Sequence, residues 1–87
     1  MINSAGAPVN LSASGVVSNA QGAILGVFCA SSSSGTLKLW NNTAGSGAII
    51  VNTFSLVAAT YYPIPASFAI GCYATIGGTA DITLFVG

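Results

Sequence analysis

Protein chemistry starts from groups that ionise, and this chain has almost none. Lys38 is its one basic side chain, Asp81 its one acidic side chain, and histidine is absent. General acid–base catalysis needs groups that titrate near the working pH and act as a pair. Asp81 alone supplies no pair, so no Ser-His-Asp, Cys-His or carboxylate-dyad arrangement can be built within one chain. Cys29 and Cys72 are the remaining candidates. A metal site needs more ligands than two thiols and one carboxylate, so none is expected. As a disulfide the pair would close a loop of about 43 residues, contributing about 3–4 kcal/mol on the chain-entropy model. As free thiols they are two small apolar side chains packed in a sheet. Both lie in apolar strand contexts and no export signal accompanies them, which favours free thiols. The expectation is a non-enzymatic chain with no catalytic residue, no cofactor and no metal.

Binding motifs fare no better. The stretch TAGSG at residues 43–47 is Gly-rich, but it has no lysine and no following helix, so it reads as a hairpin turn and not a phosphate loop. Lys38 as the only cation excludes a basic nucleic-acid patch and electrostatic docking to acidic membranes. Asn10 and Asn41 begin Asn-x-Ser/Thr sequons, which chance explains in a chain rich in these residues. The aromatic residues Trp40, Tyr61, Tyr62 and Tyr73 have the composition of a stacking platform for sugars or bases. Such platforms add charged or amide partners, so packing in a core or an interface is the stronger reading. Trp40, Phe54, Tyr61, Tyr62 and Phe85 are the residues expected at a subunit contact.

Charged residues make up 2% of the 87-residue chain, against about 25% in ordinary soluble domains. At 53% hydrophobic it is far from disordered by composition. A chain of this size buries roughly 60% of its unfolded surface, enough for one small domain and no more. A lone domain with so few charges of either sign should associate. Ser, Thr and Asn hydrate what remains exposed, and the rest of the surface is expected to be covered by other subunits. The longest apolar run, residues 23–30, is interrupted by Gly26 and falls short of the roughly 20 residues of a membrane-spanning helix. No basic segment precedes an apolar stretch, so no secretory leader is expected.

Residue order gives an all-β reading. Period-two alternation and turn residues dominate, and the charged helix formers are missing. Residues 1–8 read as a flexible N-terminal arm and 9–87 as a single β domain. Strand patterns are expected over residues 9–17 (one or two short strands), 23–30, 36–42, 48–57, 67–76 and 79–86. Residues 60–65 carry two prolines and must be an edge strand or a corner. Turns are expected at 19–22, at 43–47 and at Gly77-Gly78, the last as a tight hairpin, with a flexible connection over the SSSSG of residues 31–35. Leu37 and Leu39 should oppose Lys38 and Trp40. Likewise Ile82, Leu84 and Val86 should oppose Asp81, Thr83 and Phe85, and Ile50, Phe54 and Leu56 should oppose Ile49, Val51 and Val57. This amounts to seven or eight antiparallel strands in a β-sandwich, jelly roll or small barrel. Several strands are apolar on both faces, which a monomer would expose.

From about Gly26 onward the sequence resembles short structural proteins of tailed phages and prophages. The segment GVFCASSSSGTLKLWNNTAGSGAIIVNTFSLVAATYYPIP at residues 26–65 carries the likeness, followed by GCYATIGGTADIT at residues 71–83. The blocks SGTLKLWNNT, TYYP and ATIGGTADIT are the most similar in wording and order. The resemblance implies a virion component of the capsid decoration, or cement, type. It would be a homotrimer on the capsid surface, bound to the major capsid protein and present in the host cytoplasm during assembly. No catalytic residue comes with it. The alternative is a receptor- or carbohydrate-binding module of a tail fibre or baseplate, in which Trp40, Tyr61 and Tyr62 would line one exposed concave pocket. A self-assembling surface fibre is a third, weaker reading.

Overall fold

The computed structural model describes residues 7–87, and over them the chain is all β. Six strands are formed: β1 (Ala7–Leu11), β2 (Gly15–Ser18), β3 (Gly22–Asn41), β4 (Ala48–Ser55), β5 (Thr60–Phe68) and β6 (Cys72–Val86). All belong to one antiparallel sheet. Of the arm expected over residues 1–8, Ala7 and Pro8 belong to β1 and the rest lies outside the described residues.

Two strands are too long to be straight. At about 3.3 Å per residue, the 20 residues of β3 would extend about 65 Å, yet the longest dimension of the molecule is 37 Å. The pairing shows where the excess goes. β3 and β6 run antiparallel along their lengths, from Ile24↔Val86 to Trp40↔Tyr73. In its first half β3 also pairs with β5, and in its second half with β4. β6 pairs with β2 in its first half and with β1 in its second. The paired β3–β6 spine therefore belongs to two four-stranded layers. Layer one is ordered β5, β3, β6, β1; layer two is β4, β3, β6, β2. Asn41, at the far end of β3, closes the fold-back. Its Oδ1 accepts the Ala69 and Ile70 N–H groups at 3.2 Å, one and two residues past Phe68, which pairs with Gly22 at the start of β3.

The crease lies where the sequence pointed to a tight turn and a flexible connection. Gly77-Gly78 is not a hairpin turn, and Ser31 to Gly35 is not a loop; both stretches are paired strand. The register shifts between Ser33 and Thr36, opposite Gly77. Ser34 and Gly78 face each other there, both left-handed, with φ of 56° and 65°. A Cβ on Gly78 would collide with the Ser34 carbonyl oxygen, so the two backbones touch and only glycine fits. Leu56 pins the bend: its N–H donates to the Gly35 carbonyl at 2.9 Å, and its carbonyl accepts the Ser32 hydroxyl at 3.0 Å. Continuous strands through these two sites reduce the expected seven or eight strands to six. The predicted strand over 67–76 divides for the opposite reason: residues 69–71 break the ladder, and β6 starts at Cys72.

The core fills the space between the layers. Ile24, Val27 and Cys29 reach it from layer one with Ala80, Ile82 and Leu84; Leu37, Leu39, Cys72 and Ala74 reach it from layer two. Phe68, Leu56 and Val17 complete one cluster, and no polar residue among those described is buried in it. Leu37 and Leu39 point inward, with Lys38 and Trp40 half-buried on the outside. Bulges in the β3–β4 pairing spoil the expected alternation of β4. Val51 consequently packs against the core alongside Ile50 and Phe54, where alternation had set it opposite them. β5 alternates cleanly along its length and pairs only with β3, so Pro63 and Pro65 sit on an edge strand as their missing N–H groups require.

Candidate functional site

The candidate site is the surface of the molecule, where large apolar side chains are exposed. Its outer faces follow from strand register. On layer one, Tyr61, Phe28, Thr83 and Asn10 form a row across β5, β3, β6 and β1. Pro63, Gly26, Phe85 and Pro8 form the next row. Tyr61 lies across Gly26, where any side chain would overlap its ring, and meets Phe85 at a centroid distance of 6.2 Å. On layer two, Ile49, Trp40, Tyr73 and Val16 form a row across β4, β3, β6 and β2. Gly45, in the β3–β4 connection, lies against the Tyr73 ring. Val57 and Ile70, in the connections after β4 and β5, are 60% and 58% exposed.

The five residues expected at a contact fall into three places. Tyr61 and Phe85 share the outer face of layer one, with Tyr61 49% exposed. Trp40 lies on the outer face of layer two. Its Nε1–H donates to Thr75 Oγ1 at 3.0 Å, and Lys38 Nζ lies 4.2 Å from its ring centroid. Phe54 and Tyr62 meet edge to face at 5.2 Å, where the β4 and β5 edges of the two layers adjoin. There they line an open groove of about 240 Å³ with Val51, Pro63 and Ile64. Tyr62 is oriented by accepting the Val57 N–H at 2.8 Å. Trp40, Tyr61 and Tyr62 do not line one pocket.

The chain matches no known family, no curated protein and no solved structure.

Electrostatically the molecule is nearly blank. The Asp81 carboxylate accepts the Asn10 amide at 2.7 Å and lies on layer one, whereas Lys38 lies on layer two; the two do not meet. Among the described residues no group of three metal-ligating side chains converges. Both cysteines are buried free thiols. Burial pushes the Cys72 thiol up to about 11; burial, and secondarily the Asp81 charge, also raises Cys29. Thiols held protonated in this way are poor nucleophiles. Phe28, Val16 and Ile49, which are not among the five residues expected at a contact, are also exposed on the outer faces. Their signal was present: each belongs to a strand with apolar residues on both sides, and apolar residues that miss the core must lie outside.

Proposed function

We propose that this chain is a non-enzymatic structural protein that works as a homo-oligomer bound to a capsid lattice: a decoration, or cement, protein. One observation carries the proposal. Both outer faces and the open β4–β5 edge present large apolar side chains, on a chain with a single charge of each sign. Contiguous apolar patches of this kind mark surfaces that other proteins cover. The doubled sheet is then a small β-sandwich whose outer faces are interfaces. A trimer seated on the major capsid protein of the virion surface would bury them, and at least about 1,000 Å² is needed for a stable contact. The resemblance of residues 26–65 and 71–83 to phage structural proteins supplies the capsid; the surface supplies only the assembly.

The carbohydrate-binding alternative loses ground on this geometry. Sugars require polar groups that fix their hydroxyls. The groove residues are Val51, Phe54, Tyr62, Pro63 and Ile64, which offer one side-chain hydroxyl; it accepts the Val57 N–H and has only its own hydrogen left to donate.

Native mass measurement tests the assembly, and cryo-electron microscopy of a virion carrying the protein tests the capsid. The expected result is an oligomer that survives a rise from about 0.1 to 1 M salt, because apolar contacts are little screened. A chain that stays monomeric at high concentration, or is stripped by salt, would overturn the assembly. Absence from the ordered shell would overturn the capsid.

A further inference from the structure

The only two charged side chains of this protein lie on opposite outer faces, and each sits beside a row that carries large aromatic side chains. On layer one, Asp81 lies two residues from Thr83, the position that pairs with Phe28 in the Tyr61–Phe28 row. On layer two, Lys38 lies two residues from Trp40, the position that pairs with Ile49 and Tyr73. Two residues along a strand is about 7 Å in both cases. The order is the same as well. Moving toward the crease at Ser34 and Gly78, each face shows first its aromatic row and then its charge. The two charges differ in sign: Asp81 accepts the Asn10 amide on layer one, and Lys38 lies over the Trp40 ring on layer two.

We infer that the partner of each outer face is the opposite face of a second copy. The layer-two face of one molecule would sit on the layer-one face of the next, with the creases on the same side. This rests on the assembly reading above and names its partner surface. In that arrangement Tyr61 and Phe28 meet the row of Ile49, Trp40, Tyr73 and Val16, and Lys38 meets Asp81. Like faces brought together would place two charges of one sign in the same contact, with no other side-chain charge to compensate. Opposed like charges select against such pairings more strongly than an attractive pair adds affinity. The apolar rows therefore supply the affinity and the lone charges supply the register and direction. The contact is heterologous, so repetition closes it into a ring or continues it as a stack. It cannot be satisfied reciprocally within one dimer, because the two faces lie on opposite sides of the molecule.

Charge reversal on the full chain tests this. Lys38→Glu and Asp81→Lys should each weaken self-association at least about tenfold by opposing like charges at the contact. The double variant Lys38→Glu/Asp81→Lys should restore it, and equimolar mixing of the two single variants should give mixed complexes that neither forms alone. Circular dichroism checks that each variant folds; if a reversal does not, Lys38→Gln and Asp81→Asn replace it, with a smaller loss expected. Wild-type association combined with single variants that associate equally well would overturn this contact and leave the assembly reading standing. So would a double variant no better than the singles, or a closed dimer that grows no further. A wild-type chain that does not associate at all would overturn both.

Discussion

The β3–β6 spine and the four strands flanking it differ in what they hold. β3 and β6 contribute ten of the thirteen buried apolar residues described: Ile24, Val27, Cys29, Leu37, Leu39, Cys72, Ala74, Ala80, Ile82 and Leu84. The flanking strands contribute Val17 and Phe68, with Leu56 just beyond β4. Their share of the surface is the reverse, with Val16, Ile49 and Tyr61 among the exposed apolar side chains. A strand paired on both sides is fixed by its neighbours and can spend its side chains on the core. A strand paired on one side keeps a free edge and an accessible face. The spine therefore carries most of the core, while the proposed contact faces mix its outward side chains, Phe28, Trp40 and Tyr73, with those of the flanking strands.

The crease is where the spine is most easily broken. Gly78→Val would drive a branched side chain into the Ser34 carbonyl at a φ of 65°. The expected outcome is a chain that fails to fold or loses more than about 3 kcal/mol. Gly47→Ala makes the contrast. Gly47 also has positive φ, at 95°, but it lies in the exposed β3–β4 connection against the Asn42 side chain, so a loss of about 1 kcal/mol is expected. Urea midpoints compare the two. Equal, small losses would show that the crease does not hold the spine doubled.

Alkaline pH probes the same spine through its thiols. Burial holds the Cys72 proton to about 11, against an ordinary value of 9.0, and raises Cys29 as well. The folded state therefore binds these protons more tightly than the unfolded chain. That contribution is complete below pH 9 and is lost as pH rises through about 11, and for Cys72 alone it corresponds to roughly 3 kcal/mol. Urea midpoints should fall across that window, and Cys72→Ala should flatten part of the fall. A profile unchanged by the substitution would mean that Cys72 is not sealed in the core.

Much of this was legible in the sequence, and the two merged strands escaped it for one reason. Leu37 and Leu39 against Lys38 and Trp40, and Ile82 and Leu84 against Asp81 and Thr83, follow from alternation alone, because a strand has only two faces. The edge position of β5 follows from Pro63 and Pro65. Gly77-Gly78 and the serine run misled because glycine serves two purposes in β structure. It makes tight turns, and it lets paired strands bend where their backbones touch. Which one applies depends on a partner strand more than 40 residues away in the chain, Ser34 facing Gly78, and local pattern carries no trace of it. The outer faces were legible as strands apolar on both sides. The separation of Trp40, Phe54 and Tyr61 onto three surfaces was not, because it depends on where the spine folds.

Ser34 gives a smaller effect of opposite sign. It holds a left-handed φ of 56° without being glycine, which costs about 1–2 kcal/mol. Ser34→Gly removes that cost and adds about 0.5–1 kcal/mol of unfolded-state entropy, leaving a net gain of at most about 1.5 kcal/mol. A clear loss of stability would mean that the serine side chain, and not backbone bending alone, supports the crease.

Ile49 should show the smallest effect on stability and separates the two regions most cleanly. It is 46% exposed at the β4 end of the Trp40 row. Ile49→Thr keeps a β-branched residue in the strand, so unfolding should change by no more than about 0.5 kcal/mol. In an assembly that covers this row, the same substitution removes roughly 1 kcal/mol of apolar burial per contact and weakens association about fivefold. Denaturant unfolding and light scattering on one preparation give both numbers. A loss of stability near 2 kcal/mol with unchanged association would place Ile49 in the core, and the division between inward side chains that fold the chain and outward ones that associate would fail at β4.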